Sequence, residues 1–271
     1  MTLLIGHWEL VHVMRVLFIG DIVGQPGRRM VARHLKALVA THGAEIVLAN
    51  AENAAAGFGI TPSVGEELFA LGIDLLTSGN HVWDKKEAEG YLAKEGRILR
   101  PANYPDEAPG VGAHVLRKRD RLVGVLNIQG RAFLPAIDCP FKRADHEIAQ
   151  LRRVTDSIIV DLHAEATAEK VAFGWYADGR VSAVVGTHTH VQTADERILP
   201  GRTAYITDVG MTGPLNSVIG ITREDAISKF LTQMPKRFTI ADGPAQLNAV
   251  VLDIGEDGRA RDIQRIQIHG D

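Results

Sequence analysis

MRVLFIGDIVGQPGRRMVARHLKALVATHGAEIVLAN, residues 14–50, contains one complete strand, loop, helix and strand alternation. The apolar run Val16 to Ile19 stops at Gly20-Asp21, and Pro26 then opens a segment in which Met30, Val31, Leu35, Leu38 and Val39 recur at helical spacing as far as Gly43. Proline inside the start of a helix and glycine past its end are the residues those positions favour. Ile46-Val47-Leu48-Ala49 is a second short apolar run, of strand length. A chain that alternates in this way is an α/β protein with a largely parallel sheet.

The alternation continues outward. A loop of small residues, Ala51 to Gly59, leads to Thr61-Pro62, a cap and first helical position, for a helix ending near Gly72. Asp74 to Thr77 predicts a third strand, followed by Gly79-Asn80-His81, and the charged segment Asp84 to Glu95 predicts a solvated helix. Beyond the turn-like Pro101 to Pro109 the pattern becomes β-rich. Gly112 to Leu116 and Leu122 to Ile128 flank the basic cluster Arg117 to Arg121 as a hairpin would. Ser157 to Val160 and Val181 to Val185 are nearly continuous apolar runs, as expected of strands covered on both faces, with a helix over 166–176 between them. A helix over 223–231 precedes a closing hairpin of Leu247 to Ile254 and Ile263 to Ile268, turning at Gly255 to Gly258. With no repeat, linker or low-complexity tract, the expectation is one domain over 14–271 after an N-terminal extension, 1–13.

A chain of 271 residues with 45% hydrophobic content can bury a substantial core. Its net charge of -3 offers no general attraction to polyanions, so nonspecific nucleic-acid binding is not expected. The single cysteine, Cys139, cannot form an intramolecular disulfide, which fits a reducing compartment. The opening residues are interrupted by His7, Trp8, Glu9 and His12 and have no basic leader, so neither signal peptide nor membrane anchor is expected, and the cytoplasm is the expected location.

Five of the apolar segments end in residues able to ligate a metal: Asp21, Glu52-Asn53, Asn80-His81, His163 and His188-Thr189-His190. Ligands of open α/β sheets gather beyond the carboxyl ends of the strands. Carboxylate, amide and imidazole donors suit manganese, iron or zinc better than a thiolate site does. Histidines two apart on an extended backbone point the same way, so His188 and His190 can share one or two ions. Each residue also has an ordinary explanation. Asp21 could cap a helix, Glu52 could be an exposed loop acid, Asn80 could serve a turn, and the histidines could be satisfied interior residues. For five strand ends to be explained independently in this way is an improbable coincidence.

The order of these motifs resembles the calcineurin-like metallophosphoesterase superfamily. GDIVGQPGR (20–28), AENAAAGFGIT (51–61), SGNHVWDKKE (78–87), DLHAEATAEK (161–170), GTHTHVQTAD (186–195) and MTGPLNSVIG (211–220) resemble, more closely, its bacterial YmdB-like phosphodiesterase branch. The usual DxH is here Asp21-Ile22-Val23, and the usual bridging aspartate is Glu52, both features of that branch. The resemblance implies a layered α/β sandwich of two mixed sheets flanked by helices. It implies two divalent or mixed-valence ions, iron natively, with manganese or zinc as alternatives. One ion would be held by Asp21, Glu52, Asn53 and His190, and the other by Glu52, Asn80, His163 and His188. His81 would be the proton donor, and Asn53 has the orientation of substrate as an alternative role. A hydroxide between the ions would attack phosphorus. The implied partner is a small phosphodiester, foremost a 2',3'-cyclic nucleotide, with no membrane association; the oligomeric state, a homo-oligomer included, stays open.

Other readings are weaker. A metal-dependent amidohydrolase places its HxH after a first barrel strand, whereas here it comes late. Gly20, Gly24 and Gly27 do not have dinucleotide-binding spacing. A regulatory nucleotide- or partner-binding protein with secondary phosphatase activity is the remaining alternative. Loop residues Met211 to Ser217 are candidates to shape the substrate mouth.

Overall fold

The computed structural model describes residues 13–270, so all but the last residue of the expected N-terminal extension lies outside the described residues. The chain runs β1 (Met14–Ile19), α1 (Gly24–His42), β2 (Ile46–Asn50), α2 (Pro62–Ala70), β3 (Leu75–Thr77), α3 (Lys86–Leu92), β4 (Ala113–Lys118), β5 (Arg121–Gln129), α4 (Pro140–Leu151). It continues β6 (Ile158–His163), α5 (Thr167–Ala177), β7 (Ala183–Thr187), β8 (Arg197–Ile198), β9 (Ala204–Ile206), β10 (Gly213–Pro214), α6 (Arg223–Thr232), β11 (Ala245–Ile254) and β12 (Ala260–Gly270).

Two mixed sheets result. One has the order β10-β11-β1-β2-β3, with β12 also on β11, and the other β4-β5-β6-β7-β9-β8. β1, β2 and β3 are parallel, as are β5, β6, β7 and β9, while the closing hairpin packs antiparallel through β11 onto β1. The sheets face each other across a core that includes Val16, Phe18, Ile46, Leu48, Val125, Ile159 and Val185. Residues of α1, α2 and α3 cover the outer face of the first sheet, and residues of α4 and α5 that of the second. This is the layered sandwich that the resemblance implies.

The continuous apolar runs follow from this layering. Along β1, Val16 and Phe18 enter the inter-sheet core while Leu17 and Ile19 enter the helix-covered one, the two-residue period of a strand buried on both faces. The inter-sheet column of several strands then turns polar at its carboxyl end. Ile46 and Leu48 give way to Asn50, Leu75 to Thr77, Ile159 to Asp161 and His163, and Ala183 and Val185 to Thr187, all of them buried. The sandwich thus has a dry middle and a polar end.

Thr61 caps α2 by accepting from Val64 N, with Pro62 in the first turn. α1 closes at Gly43, whose φ of 61° suits glycine. The helix expected over 84–95 is shorter and is not simply solvated, because Ala88 and Leu92 pack inward. α4 was not foreseen: Ala144, Ile148 and Leu151 form its buried stripe, but charged residues surround them. β8, β9 and β10, of two or three residues each, are too short to leave a periodic pattern.

Candidate active site

The polar end of the sandwich brings the strand-end residues into one basin. Asp21 follows β1, Glu52 and Asn53 follow β2, Asn80 follows β3, His163 closes β6, and His188 and His190 follow β7. Two of their ordinary explanations fail, those of Asp21 and Glu52. Asp21 caps no helix, since the α1 cap residue is Val23 and has no side-chain cap bond. Glu52 is buried, not an exposed acid. Asn80 does sit in a turn, with Val82 N donating to Gly79 O, but its Oδ1 faces His163 Nε2 at 3.1 Å.

The expectation that His188 and His190 lie on extended backbone is corrected. Both have positive φ, 98° and 64°, so the chain leaves strand geometry at Thr187. A side chain held in that region costs on the order of 1–3 kcal/mol and persists only where its surroundings enforce it. Asp208 supplies the enforcement. Its Oδ2 accepts from Thr189 N at 3.1 Å, Thr189 Oγ1 at 2.8 Å and the buried Lys170 ammonium at 2.6 Å, and Lys170 also donates to Thr187 O at 2.7 Å.

Each of the three histidines has one ring nitrogen occupied by a protein acceptor and the other turned inward. His163 Nδ1 lies 2.9 Å from Thr187 Oγ1, which itself donates to Asp161 Oδ1 at 2.7 Å. Because the hydroxyl proton goes to the carboxylate, the hydroxyl accepts from Nδ1, leaving Nε2 as the inward atom. His188 Nε2 is 3.1 Å from Glu165 Oε2, leaving Nδ1, and His190 Nδ1 is 2.8 Å from the Ile219 carbonyl, leaving Nε2.

Those inward atoms meet oxygens or, for His188, the His163 ring nitrogen. Around His163 Nε2 stand Glu52 Oε1 at 3.1 Å, Asn80 Oδ1 at 3.1 Å and His188 Nδ1 at 3.0 Å. His190 Nε2 is 3.8 Å from Asp21 Oδ1, a buried oxygen without a hydrogen-bond partner, while Asp21 Oδ2 accepts from His188 N at 3.2 Å. Asn53 donates through Nδ2 to Gly57 O at 2.9 Å, and its Oδ1 is likewise buried without a partner. Orphaned buried oxygens are rare unless something outside the protein satisfies them. The donor set therefore fits a cation: Glu52, His163 and His188 offer ligand atoms within 4.8 Å of one another, while Asp21 faces His190 and Asn53 lines the same cavity as His190.

Electrostatics agree. Burial lifts the Asp21 carboxyl to about 6, against the pull of His190 and His163. At Glu52 burial works upward, but the charge of His163 and its hydrogen bond outweigh it and hold the group down at about 2. Burial disfavours the charged His163, yet Glu52 raises that imidazole to about 9. Burial and the neighbouring His163 push His188 down to about 3. In such a site the Glu52–His163 pair holds a proton where a cation would otherwise balance the charge.

His81 stands apart from these atoms. Its backbone N donates to Glu52 Oε2 at 3.1 Å, its Nδ1 pairs with Asp84 Oδ2 at 2.8 Å, and Phe58 meets its ring edge-on at 5.0 Å between centroids. That leaves Nε2 as the ring nitrogen not engaged by Asp84. Gly79 is indispensable to the arrangement, because a Cβ there would run into the His163 ring and the Glu52 carboxylate. Supporting residues that sequence reasoning missed are Asp84, Asp161, Glu165, Thr187 and Asp208. Asp84 and Glu165 had a legible hint in their spacing, three and two residues beyond His81 and His163.

In front of the basin lies a cavity of about 260 Å³, lined on the polar side by Glu52, Asn53, His81, Glu165, His188 and His190. None of Met211 to Ser217 lines it; Ile219 and Ile221, just beyond the expected loop, and Phe238 and Ile240, beyond α6, do.

Residues 17–266 match the sequence model described as YmdB-like protein. The chain is 49% identical over 259 residues to a Bacillus subtilis protein named 2',3'-cyclic-nucleotide 2'-phosphodiesterase, covering 95% of this chain and 98% of that one. A solved structure titled a hypothetical protein from Thermus thermophilus superposes with a TM-score of 0.90 at 41% identity, covering 95% of this chain and 100% of the other. A second, titled a novel phosphatase of Mycoplasma pneumoniae, gives 0.91 at 34% identity, covering 96% and 95%.

Proposed function

Given that the chain belongs to the YmdB-like protein family, we propose that it is a metal-dependent phosphodiesterase whose substrate is a small phosphodiester, foremost a 2',3'-cyclic nucleotide. That it is a hydrolase of the phosphatase and phosphodiesterase kind follows from its relatives. The single observation that carries the proposed site is the set of three histidines, each with one ring nitrogen engaged and the other turned into a cluster that includes buried carboxylate and amide oxygens of Asp21, Glu52 and Asn80.

Two cations are the proposed cofactor, one held by Asp21, Asn53 and His190, the other by Asn80, His163 and His188, with Glu52 shared. Iron, manganese and zinc all suit this nitrogen and oxygen donor set. When bound, such ions lower the pKa of a coordinated water toward neutrality and offset charge on the phosphoryl oxygens. The protein's own residues do the rest. Thr187 and Asp161 orient His163, Glu165 orients His188, and Asp208 with Lys170 fixes the backbone between the last two histidines. His81, braced by Asp84, delivers a proton to the leaving oxygen, help typically worth about a hundredfold to ten-thousandfold. No helix among the described residues is long and apolar enough to cross a membrane; a cytoplasmic site of action is part of the proposal.

Glu52→Gln tests the reading. The expected outcome is loss of both bound metal, by elemental analysis, and hydrolysis across a panel of 2',3'- and 3',5'-cyclic nucleotides and phosphomonoesters. Full turnover by a metal-free Glu52→Gln protein would end it.

A further inference from the structure

The cavity before the basin has two unlike sides. Beside the polar residues it is lined by Val23, Phe58, Ile219, Ile221, Phe238 and Ile240. These form a continuous wall: Ile221 and Ile240 pair as an antiparallel bridge, Ile240 rests on Gly57, and Gly220 lies against Val23. Gly57 is required there, since any Cβ would strike the Ile240 side chain. The wall has no hydrogen-bonding side chain, and much of its backbone is already engaged. Ile221 exchanges both bonds with Val218, Gly57 N donates to Asn53 O, Val23 N donates to Thr212 O, and the Ile219 carbonyl accepts from His190. Yet Ile219 and Phe238 remain 51% and 38% exposed beside a charged basin, an apolar surface without an internal partner.

We propose that this wall receives the nucleobase of the substrate and holds it by stacking and apolar contact alone, without reading the base edge. The inference rests on the phosphodiesterase reading above. A ligand that fills both sides must carry an anionic group at one end and a flat apolar body at the other, which a cyclic nucleotide does and inorganic phosphate does not. Every base has a π-face, so stacking accepts all four, whereas discrimination needs paired donors and acceptors, and the wall's side chains present none.

The test compares kcat/KM of the metal-loaded protein for the four 2',3'-cyclic nucleotides with that for methyl riboside 2',3'-cyclic phosphate, which has no base. The wild type should favour the nucleotides roughly ten- to hundredfold, as stacking on one base is worth, with the four alike within about tenfold. Phe238→Ala should collapse that ratio toward unity and Phe238→Tyr should keep it; the ring is partly exposed, so its truncation leaves the core intact. A ratio unchanged in Phe238→Ala, a wild-type ratio near unity, or a strong preference for one base overturns the inference while leaving the phosphodiesterase reading in place. If the wild type hydrolyses neither kind of diester, that reading fails and this inference falls with it.

Discussion

Thr187→Val isolates the device that sets the ring of His163. Threonine and valine share shape and β-branching, so β7 keeps its backbone and the buried site keeps its volume. What disappears is the hydroxyl that accepts from His163 Nδ1 at 2.9 Å and donates to Asp161 Oδ1 at 2.7 Å. Asp161 retains Thr77 Oγ1 at 2.5 Å and Asn50 Nδ2 at 3.1 Å as donors, so the fold survives, at a cost of about 1.5–3 kcal/mol for the lost bond to a charged group. When the ring gives up one proton to become a ligand, the remaining one is then no longer held at Nδ1 and favours Nε2, where Glu52 Oε1 and Asn80 Oδ1 both wait at 3.1 Å. That proton stands where a cation would. Losing an outer partner of a metal-ligating histidine typically costs about ten- to hundredfold in metal affinity, or about 1.4–2.8 kcal/mol at 1.4 kcal/mol per decade. Calorimetric titration of chelator-treated protein with Mn²⁺ reads this directly. Thr187→Ser, which keeps the hydroxyl, should bind like the wild type. Equal losses in the serine and valine variants, or none in valine, would refute the reasoning.

Two further outcomes are expected. His81→Ala should retain the metal measured by elemental analysis while kcat falls by about two to four orders of magnitude; a proportional loss of metal would instead make His81 a ligand. Metal uptake should depend on pH through His163. Its pKa is raised to about 9, so the stabilisation from its proton is fully present below the ordinary value of 6.5 and fades as pH rises through about 9. Glu52, held at about 2, contributes above its ordinary 4.5 and fades only as pH falls through about 2. At neutral pH a cation must displace the His163 proton, so affinity rises with pH up to about 9 and roughly one proton leaves at that subsite. Titrations in buffers of different ionisation enthalpy count it, and no proton release would contradict the assignment.

Much of this was legible in the chain because strands covered on both faces are unbroken apolar runs, and each proposed ligand lies at or within a few residues of the end of such a run. Val16 to Ile19 before Asp21 and Ile46 to Ala49 just before Glu52 are the clearest cases. α4 was lost because its buried stripe is thin, with Ala144, Ile148 and Leu151 set among Lys142, Arg143, Asp145, His146 and Glu147. The shape of the HxH segment was misjudged for a different reason: the positive φ of His188 and His190 is imposed by Asp208 and Lys170, which are distant in sequence. Thr187 and Asp161 read as ordinary strand residues, since only the pairing of β6 with β7 brings the hydroxyl under the His163 ring.

The donor atoms divide unequally along the chain. The oxygens of Asp21, Glu52, Asn53 and Asn80 come from the first sheet, and the nitrogens of His163, His188 and His190 from the second. β1, which carries Asp21, is moreover flanked on one side by β2 and on the other by β11, which begins only at Ala245. During synthesis, therefore, the strand leading to Asp21 waits with an open edge until β11 has emerged. A chain interrupted before Ala245 would carry every proposed ligand but lack the strand that closes β1, so the proposed metal site would be completed only after β11 pairs.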